Sequence, residues 1–342
     1  MPGMRDVAKA AGVSLSTVSA VLSDSGKYVS EEIRSRVLET AGELGYQLPE
    51  RQKKRDKIIA VVLPNIASTF FSNLLNGIED TVAEEGYVLV VGNSDFDFNK
   101  EKRFIKTIRK QALCGILIDT VCPATEEKEY FSFIKQTFLE RRIPVVTLER
   151  KLEETGFGSV YVNHEKNAYM ATRELLENGH RRVAHISGKM SNPLTRCRVQ
   201  GYKRALAEFG VPYSVDLIAE GDFTPNSGYM MAKELMIRNR GLTAIFAAND
   251  QMAVGAIKAV RSEGRTIPDE FAVTGIDNLS VSSMIEPSLT TVNVPTYQMG
   301  RMAVKMLADP DIKERSVELP CNLIVRRSTN KLAASEWELF GW

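Results

Sequence analysis

The 342-residue sequence is short of the residues on which redox, metal and membrane chemistry depend. Its four cysteines, Cys114, Cys122, Cys197 and Cys321, are scattered and form no C-x-x-C pair. That spacing argues against a disulfide framework or a Cys-based zinc site, and a reducing compartment is the default. The three histidines are His164, His180 and His185. His185 lies inside a strand-like run and reads as core, and His180 with His185 makes too poor a cluster for a metal. No run of about 18 apolar residues occurs, so no membrane span is expected. The N-terminal Met-Pro-Gly-Met-Arg-Asp lacks the apolar centre of a signal peptide, so a cytoplasmic protein is expected. Neither G-x-G-x-x-G after the first strand-like run nor a P-loop occurs, and we expect no cofactor. G-x-S-x-G and H-E-x-x-H are absent too, so an enzyme is the least expected class.

What is present is an ordinary globular composition, 44% apolar and 25% charged. At about 150 residues per domain the length suggests two or three domains with sizeable cores. The net charge of +1 hides a local bias. Residues 1–57 carry a net +2 and residues 58–342 a net −1. Most of the positive excess lies in Pro49-Glu-Arg-Gln-Lys-Lys-Arg-Asp-Lys57, where five of nine residues are basic. With no large apolar side chain it reads as a solvated linker or as a segment that lies on phosphates.

Three short helical patterns precede that linker. Met4, Val7, Ala8 and Ala11 share a face, and Gly12 ends the run. Ser14 is placed to cap a second helix whose apolar face is Leu15, Val18, Val21 and Leu22. Ser30 is placed to cap a third, with Glu31 and Glu32 in its first turn. Ile33 stands where a capping box would need Glu or Gln, so a simple cap is expected. The stripe Ile33, Val37, Leu38, Ala41, Leu44 then runs to Gly45. Two short helices joined at Gly12, the second presenting Leu15, Ser16, Thr17, Ser19 and Ala20 on or near its exposed side, form a helix-turn-helix.

The run Asp6-Val-Ala-Lys-Ala-Ala-Gly-Val-Ser-Leu-Ser-Thr-Val-Ser-Ala-Val-Leu22 resembles the signature of the lactose-repressor (LacI/GalR) family of bacterial transcription regulators. The resemblance implies that Leu15, Ser16 and Ala20 read bases. Thr17, Ser19 and the helix N-terminus at Ser14 would hold phosphates, with Arg51, Lys53, Lys54 and Arg55 adding contacts from the linker. The bland alternative for the small residues is ordinary helix surface. Two departures stand out. Ala20 occupies a position where the family commonly has an arginine that bonds guanine, so an operator without that guanine is expected. The family's hinge also carries a leucine wedge that bends DNA. No such leucine follows Pro49, and Leu48 is the one displaced candidate.

From residue 57 the pattern alternates between strand and helix. Lys57–Pro64, Tyr87–Gly92, Gly115–Asp119 and Pro144–Leu148 are continuous apolar runs, as parallel strands buried on both faces should be. The rhythm restarts at Arg182–Ser187, Ala244–Ala248 and Phe271–Ile276. The expected fold is a small all-α helix-turn-helix head plus an α/β periplasmic-binding-protein-like core of two doubly wound parallel-sheet lobes. We expect the head at 1–46, the linker at 47–57, lobe 1 at 58–160 and 292–318, lobe 2 at 161–289 and 320–330, and a tail at 331–342.

Open α/β sheets bind ligands at the C-terminal ends of their strands. Phe70, Phe71, Asn249 and Asp277 fall there, and the family resemblance implies that Arg198, in Arg196-Cys-Arg-Val-Gln-Gly201, and Phe223, after Glu220-Gly-Asp222, join them. An Arg and an Asp on vicinal hydroxyls, with an Asn and aromatic faces, would make a site for a sugar-like effector. Against this, Arg198 and Asp277 could form a plain ion pair, Phe71 could be core, and Asp250 reads as a helix cap. Glu149 and Arg150 could also line the cleft.

The expected function is therefore a DNA-binding transcription regulator, a repressor by family habit, acting as a homodimer or higher oligomer on a pseudo-palindromic double-stranded operator. A small sugar-like effector would control it, and when bound to DNA it would sit in the nucleoid. One alternative is a regulator without an effector. Another is control by a protein corepressor, since Gly77–Asp80 and Gly92–Asp95 resemble a catabolite-control branch of the family. There Arg301 and Lys305 could contact a phosphoserine. A solute-binding protein is the third alternative.

Overall fold

A computed structural model describes residues 3–23, 29–46, 58–152, 155–309 and 315–334. The linker basic residues Arg51, Lys53, Lys54 and Arg55, with Leu48, lie outside the described residues. The chain divides into two compact units, Met1–Asp56 and Lys57–Trp342.

The first unit is three helices, α1 (Met4–Ala11), α2 (Leu15–Ser23) and α3 (Glu31–Glu43). Their apolar faces meet in one small core in which Val7, Val18 and Val37 are fully buried. Gly12 ends α1 in the left-handed conformation at φ 66°, which glycine adopts without a Cβ penalty, and this aims the chain into α2. Ser30 precedes α3 as expected, but its side chain makes no capping bond.

In the second unit β1 (Ile58–Leu63), α4 (Thr69–Glu84), β2 (Val88–Asn93), α5 (Phe98–Ile108), β3 (Leu113–Ile118), α6 (Glu127–Thr137), β4 (Val145–Glu149) and β5 (Gly158–Tyr161) alternate in order. The second half has α7 (His164–Glu177), β6 (Val183–Ser187), α8 (Pro193–Glu208), β7 (Ile218–Glu220), α9 (Pro225–Arg238), β8 (Ala244–Ala247), α10 (Asp250–Ser262), β9 (Ala272–Asp277), α11 (Ser280–Met284) and β10 (Thr290–Asn293). It is followed by α12 (Thr296–Ala308), β11 (Ser316–Glu318) and β12 (Asn322–Ile324). Two six-stranded sheets result, ordered β11-β5-β4-β3-β1-β2 and β12-β10-β9-β8-β6-β7. All pairings are parallel except β10 with β12. The chain passes between the lobes after β5, after β10 and after β11. Because β10 pairs with β9 in the second sheet, the return to the first lobe falls after Asn293 rather than at 292.

One strand departs from expectation. The apolar run 87–92 reads as buried on both faces, yet β2 is the free edge of the first sheet, with Val88 47% and Val91 38% exposed. Periodicity reports that a run is apolar, whereas burial depends on neighbours on both sides, and β2 has one only on the β1 side.

The first lobe is tied to its returning helix by a close crossing of α4 and α12. A Cβ at Gly77 would overlap the Tyr297 carbonyl, and one at Gly300 would overlap the Leu74 carbonyl. Only glycine permits that approach at both positions.

Candidate functional site

In the head, the first turn of α2 is built by hydroxyls. Ser14 Oγ accepts the Thr17 amide at 3.1 Å, the N-cap bond expected of it. The same oxygen shares hydroxyl bonds with Ser16 (2.7 Å) and Thr17 (2.8 Å). Leu15, an apolar side chain left 44% exposed, stands beside exposed Ser16 and Ser19, with Thr17 half-buried. Ala20 corrects the sequence reading: it is only 6% exposed. It therefore takes no part in the exposed surface that Leu15, Ser16 and Ser19 present.

In the larger unit a cavity of about 110 Å³ opens between the C-terminal strand ends of the two sheets. Phe70, Phe71, Arg198, Phe223, Asn249 and Asp277 all line it. Phe70 and Phe71 begin α4 just past β1 and meet edge to face, centroids 5.0 Å apart. Both are buried and also belong to the lobe core, so the core-or-pocket alternative for Phe71 dissolves.

Arg198 and Asp277 do not form a plain ion pair. Arg198 Nη1 donates to the Ala248 carbonyl (3.1 Å) and Nη2 lies 3.3 Å from His164 Nδ1. His164 Nε2 lies 2.9 Å from the Glu149 carbonyl, which can only accept. The ring therefore carries its proton on Nε2, and Nδ1 accepts from Arg198. Burial and the Arg198 charge push the His164 pKa down to about 3, so the ring stays neutral. His164 reads from sequence as a loop or helix-edge residue, and its fixing of Arg198 goes unseen because the two are brought together only by the packing of α7 on α8.

Asn249 caps α10, its Oδ1 accepting the Met252 amide (2.9 Å) while Nδ2 donates to the Phe223 carbonyl (3.1 Å). Asp250 is thus not the cap. Its buried carboxylate accepts from the Leu279 amide (2.9 Å), Ser282 Oγ (2.6 Å) and Thr291 Oγ1 (2.5 Å). This clamp holds the turn after β9, where Asp277 (φ 119°) and Asn278 (φ 56°) both sit in left-handed backbone. Such strain persists only where surrounding bonds over-determine it. Asn278 Oδ1 is held in addition by Arg326 (2.8 Å).

Two acids complete the wall from the first lobe, Asp119 just past β3 and Glu149 at the end of β4. Glu149 reads from sequence as a possible lining residue; Asp119 reads only as the end of a strand. Buried Glu101 on α5 pins the segment behind Asp119, accepting from Thr120 (2.6 Å), Tyr130 (2.6 Å) and the Val121 amide (2.8 Å). Burial raises the carboxyl pKa of Asp119, Glu149 and Asp277 above the ordinary range. Nearby negative charge raises Asp119 and Asp277 further, while Arg198 works against the rise in Glu149 and Asp277. Arg150 turns away to pair with Glu127 at 2.5 Å.

His185 is core, stacked on Phe246 with ring centroids 4.4 Å apart. Among the described residues, no cluster of His, Cys, Asp and Glu is arranged to hold a metal ion, and no helix is long and apolar enough to cross a membrane. Arg301, the candidate contact for a phosphoserine, is already held by both oxygens of Glu84 at 3.1 Å.

Comparison with known proteins adds the family. Residues 3–48 match bacterial regulatory proteins of the lacI family, and residues 172–329 match a periplasmic binding protein-like domain. Catabolite control protein A of Priestia megaterium is 32% identical over 334 residues, covering 95% of this chain and 98% of that protein. The lac repressor dimer, solved bound to operator and the anti-inducer ONPF, superposes with a TM-score of 0.76 at 25% identity, over 96% of this chain and 99% of that one. The transcriptional regulator CelR in complex with cellobiose gives 0.69 at 30% identity, over 96% and 100%.

Proposed function

The chain belongs to the LacI family of bacterial regulatory proteins, a DNA-binding transcription regulator and not an enzyme, and from that premise we propose that it is a cytoplasmic repressor switched by a small ligand. Residues 1–46 bind the operator, 47–57 link, and the two lobes that follow form the sensor. A homodimer presents two heads to a pseudo-palindromic operator whose half-sites lie about one helical turn apart. The exposed apolar edge β2 is the face that supports a second copy, since an unpaired edge of this kind invites pairing.

The observation that carries the switching role is the make-up of the cavity. Phe70 and Phe71 come from one lobe, and Arg198, Phe223, Asn249 and Asp277 from the other. A sugar-sized effector touching both sets binds a closed arrangement better than an open one. Its leverage on DNA affinity is that difference, typically about 1–3 kcal/mol. Leu15, Ser16 and Ser19 on α2 contact the major groove, Leu15 offering apolar contact to a thymine methyl. Ala20, buried and without a donor, leaves the family's usual guanine unread.

Selection of bound duplexes from random DNA by the full chain tests this reading. The expected product is a pseudo-palindrome lacking that guanine. Unenriched DNA, or the usual family half-site, would sink it.

A further inference from the structure

The cavity wall is short of positive charge. Three buried carboxylates reach it, Asp119, Glu149 and Asp277. A fourth, Asp222, stands at the exposed rim and already accepts from Thr224. Among the described lining residues Arg198 is the one cation; one Nη donates to the Ala248 carbonyl and the other to His164, while its buried Nε has no acceptor and is left for a ligand oxygen. His164 itself adds no charge.

Asp119 and Glu149 follow adjacent strands and are only 2% and 6% exposed. Each ends in a buried oxygen that receives no donor from the rest of the protein, Asp119 Oδ2 and Glu149 Oε1, and the two carboxyls lie within hydrogen-bond reach of each other. Around them, Glu101 adds a further carboxylate, Arg150 is drawn off by Glu127, and Asp250 lies behind Asp277 with its own three donors. Two carboxyls facing each other in a dry pocket cannot both ionise freely, so an empty cavity must share a proton between them. A neutral polyol could donate to the orphan oxygens but would leave the excess negative charge buried. A protonated amine both donates to them and neutralises it.

Resting on the reading of this cavity as the effector site, we propose that the effector is a small organic cation, a sugar-sized molecule whose ammonium group replaces the shared proton and donates to both Asp119 and Glu149. Arg198 and Asp277 then remain for hydroxyl groups. Phe70, Phe71 and Phe223 supply faces for the carbon skeleton, with cation–π contact available to the ammonium.

Matched pairs test it. D-glucosamine, D-galactosamine, D-mannosamine and putrescine are each compared with the hydroxyl counterpart, by thermal shift and calorimetry on the full chain and on Asp119→Asn. At least one amine should bind about tenfold or more tighter than its hydroxyl twin. Asp119→Asn should cut that amine's affinity by about tenfold and leave the twin within about threefold. Without ligand at pH 8, Asp119→Asn should raise the melting temperature by about 2 °C or more, because it removes an acid whose ionisation burial and the Glu149 carboxyl disfavour. Hydroxyl compounds binding as tightly as amines would overturn the cation assignment and leave the effector cleft standing. No shift from either series, with an unraised melting temperature for Asp119→Asn, would remove both.

Discussion

Replacing Asp250 by alanine should be among the most costly single changes in the sensor unit. The carboxylate is fully buried and accepts three bonds, from the Leu279 amide, Ser282 Oγ and Thr291 Oγ1. Alanine leaves all three donors without an acceptor in a site closed to water. At about 1–3 kcal/mol for each orphaned buried group, and with partial relaxation, the loss should be about 3–5 kcal/mol. The turn at Asp277 and Asn278 would lose the bond that holds its left-handed backbone, so Asp277 should also leave its place on the cavity wall. Asp250→Asn is the graded control, since its carboxamide keeps one acceptor oxygen and should lose about half as much. Urea unfolding at pH 7.5, followed by far-ultraviolet circular dichroism, measures both. A loss below about 1 kcal/mol for Asp250→Ala would refute the clamp, because three desolvated donors cannot cost so little.

Three further substitutions have measurable outcomes. Gly77→Ala should destabilise the first lobe by about 1–3 kcal/mol or more, since its Cβ would overlap the Tyr297 carbonyl where α4 crosses α12; an unchanged melting temperature would contradict the crossing. His185 is held neutral by burial with a pKa pushed down to about 4, below the ordinary 6.5. Its contribution to stability is therefore complete above pH 6.5 and lost as pH falls towards 4, so wild type should lose about 3 kcal/mol relative to His185→Gln across that window. Parallel pH profiles of the two proteins would refute this. Replacing Arg51, Lys53, Lys54 and Arg55 together by alanine should flatten the plot of log affinity for DNA against log salt by about 0.9 per lost phosphate contact, and an unchanged slope would take the linker off the DNA.

The parts of this protein that are legible in sequence are those where one local rule decides. Gly12 and Ser14 carry their turn and cap chemistry in their own side chains, and the helix-turn-helix follows. Phe70, Phe71, Asn249 and Asp277 could be placed at the cavity because each comes at or soon after the C-terminal end of a recognisable strand. The features that could not be read depend on what packs where. The run 87–92 has the composition of an interior strand but lies at an edge. Asp250 has the look of a helix cap, yet its partners are 29 to 41 residues away. His164 meets Arg198 across 34 residues, and Ala20 is buried although its helical position points to the reading face. The strands β7, β11 and β12 are three residues each, too short for any periodicity.

We propose that occupancy of the cleft sets the affinity of the head for DNA. It is tested most directly by fluorescence anisotropy of the full chain on its selected operator, with and without the compound giving the largest thermal shift. Coupling of about 1–3 kcal/mol predicts a change in affinity of about 5- to 150-fold. An operator affinity that is the same with the cleft empty and with it saturated would rule out this coupling.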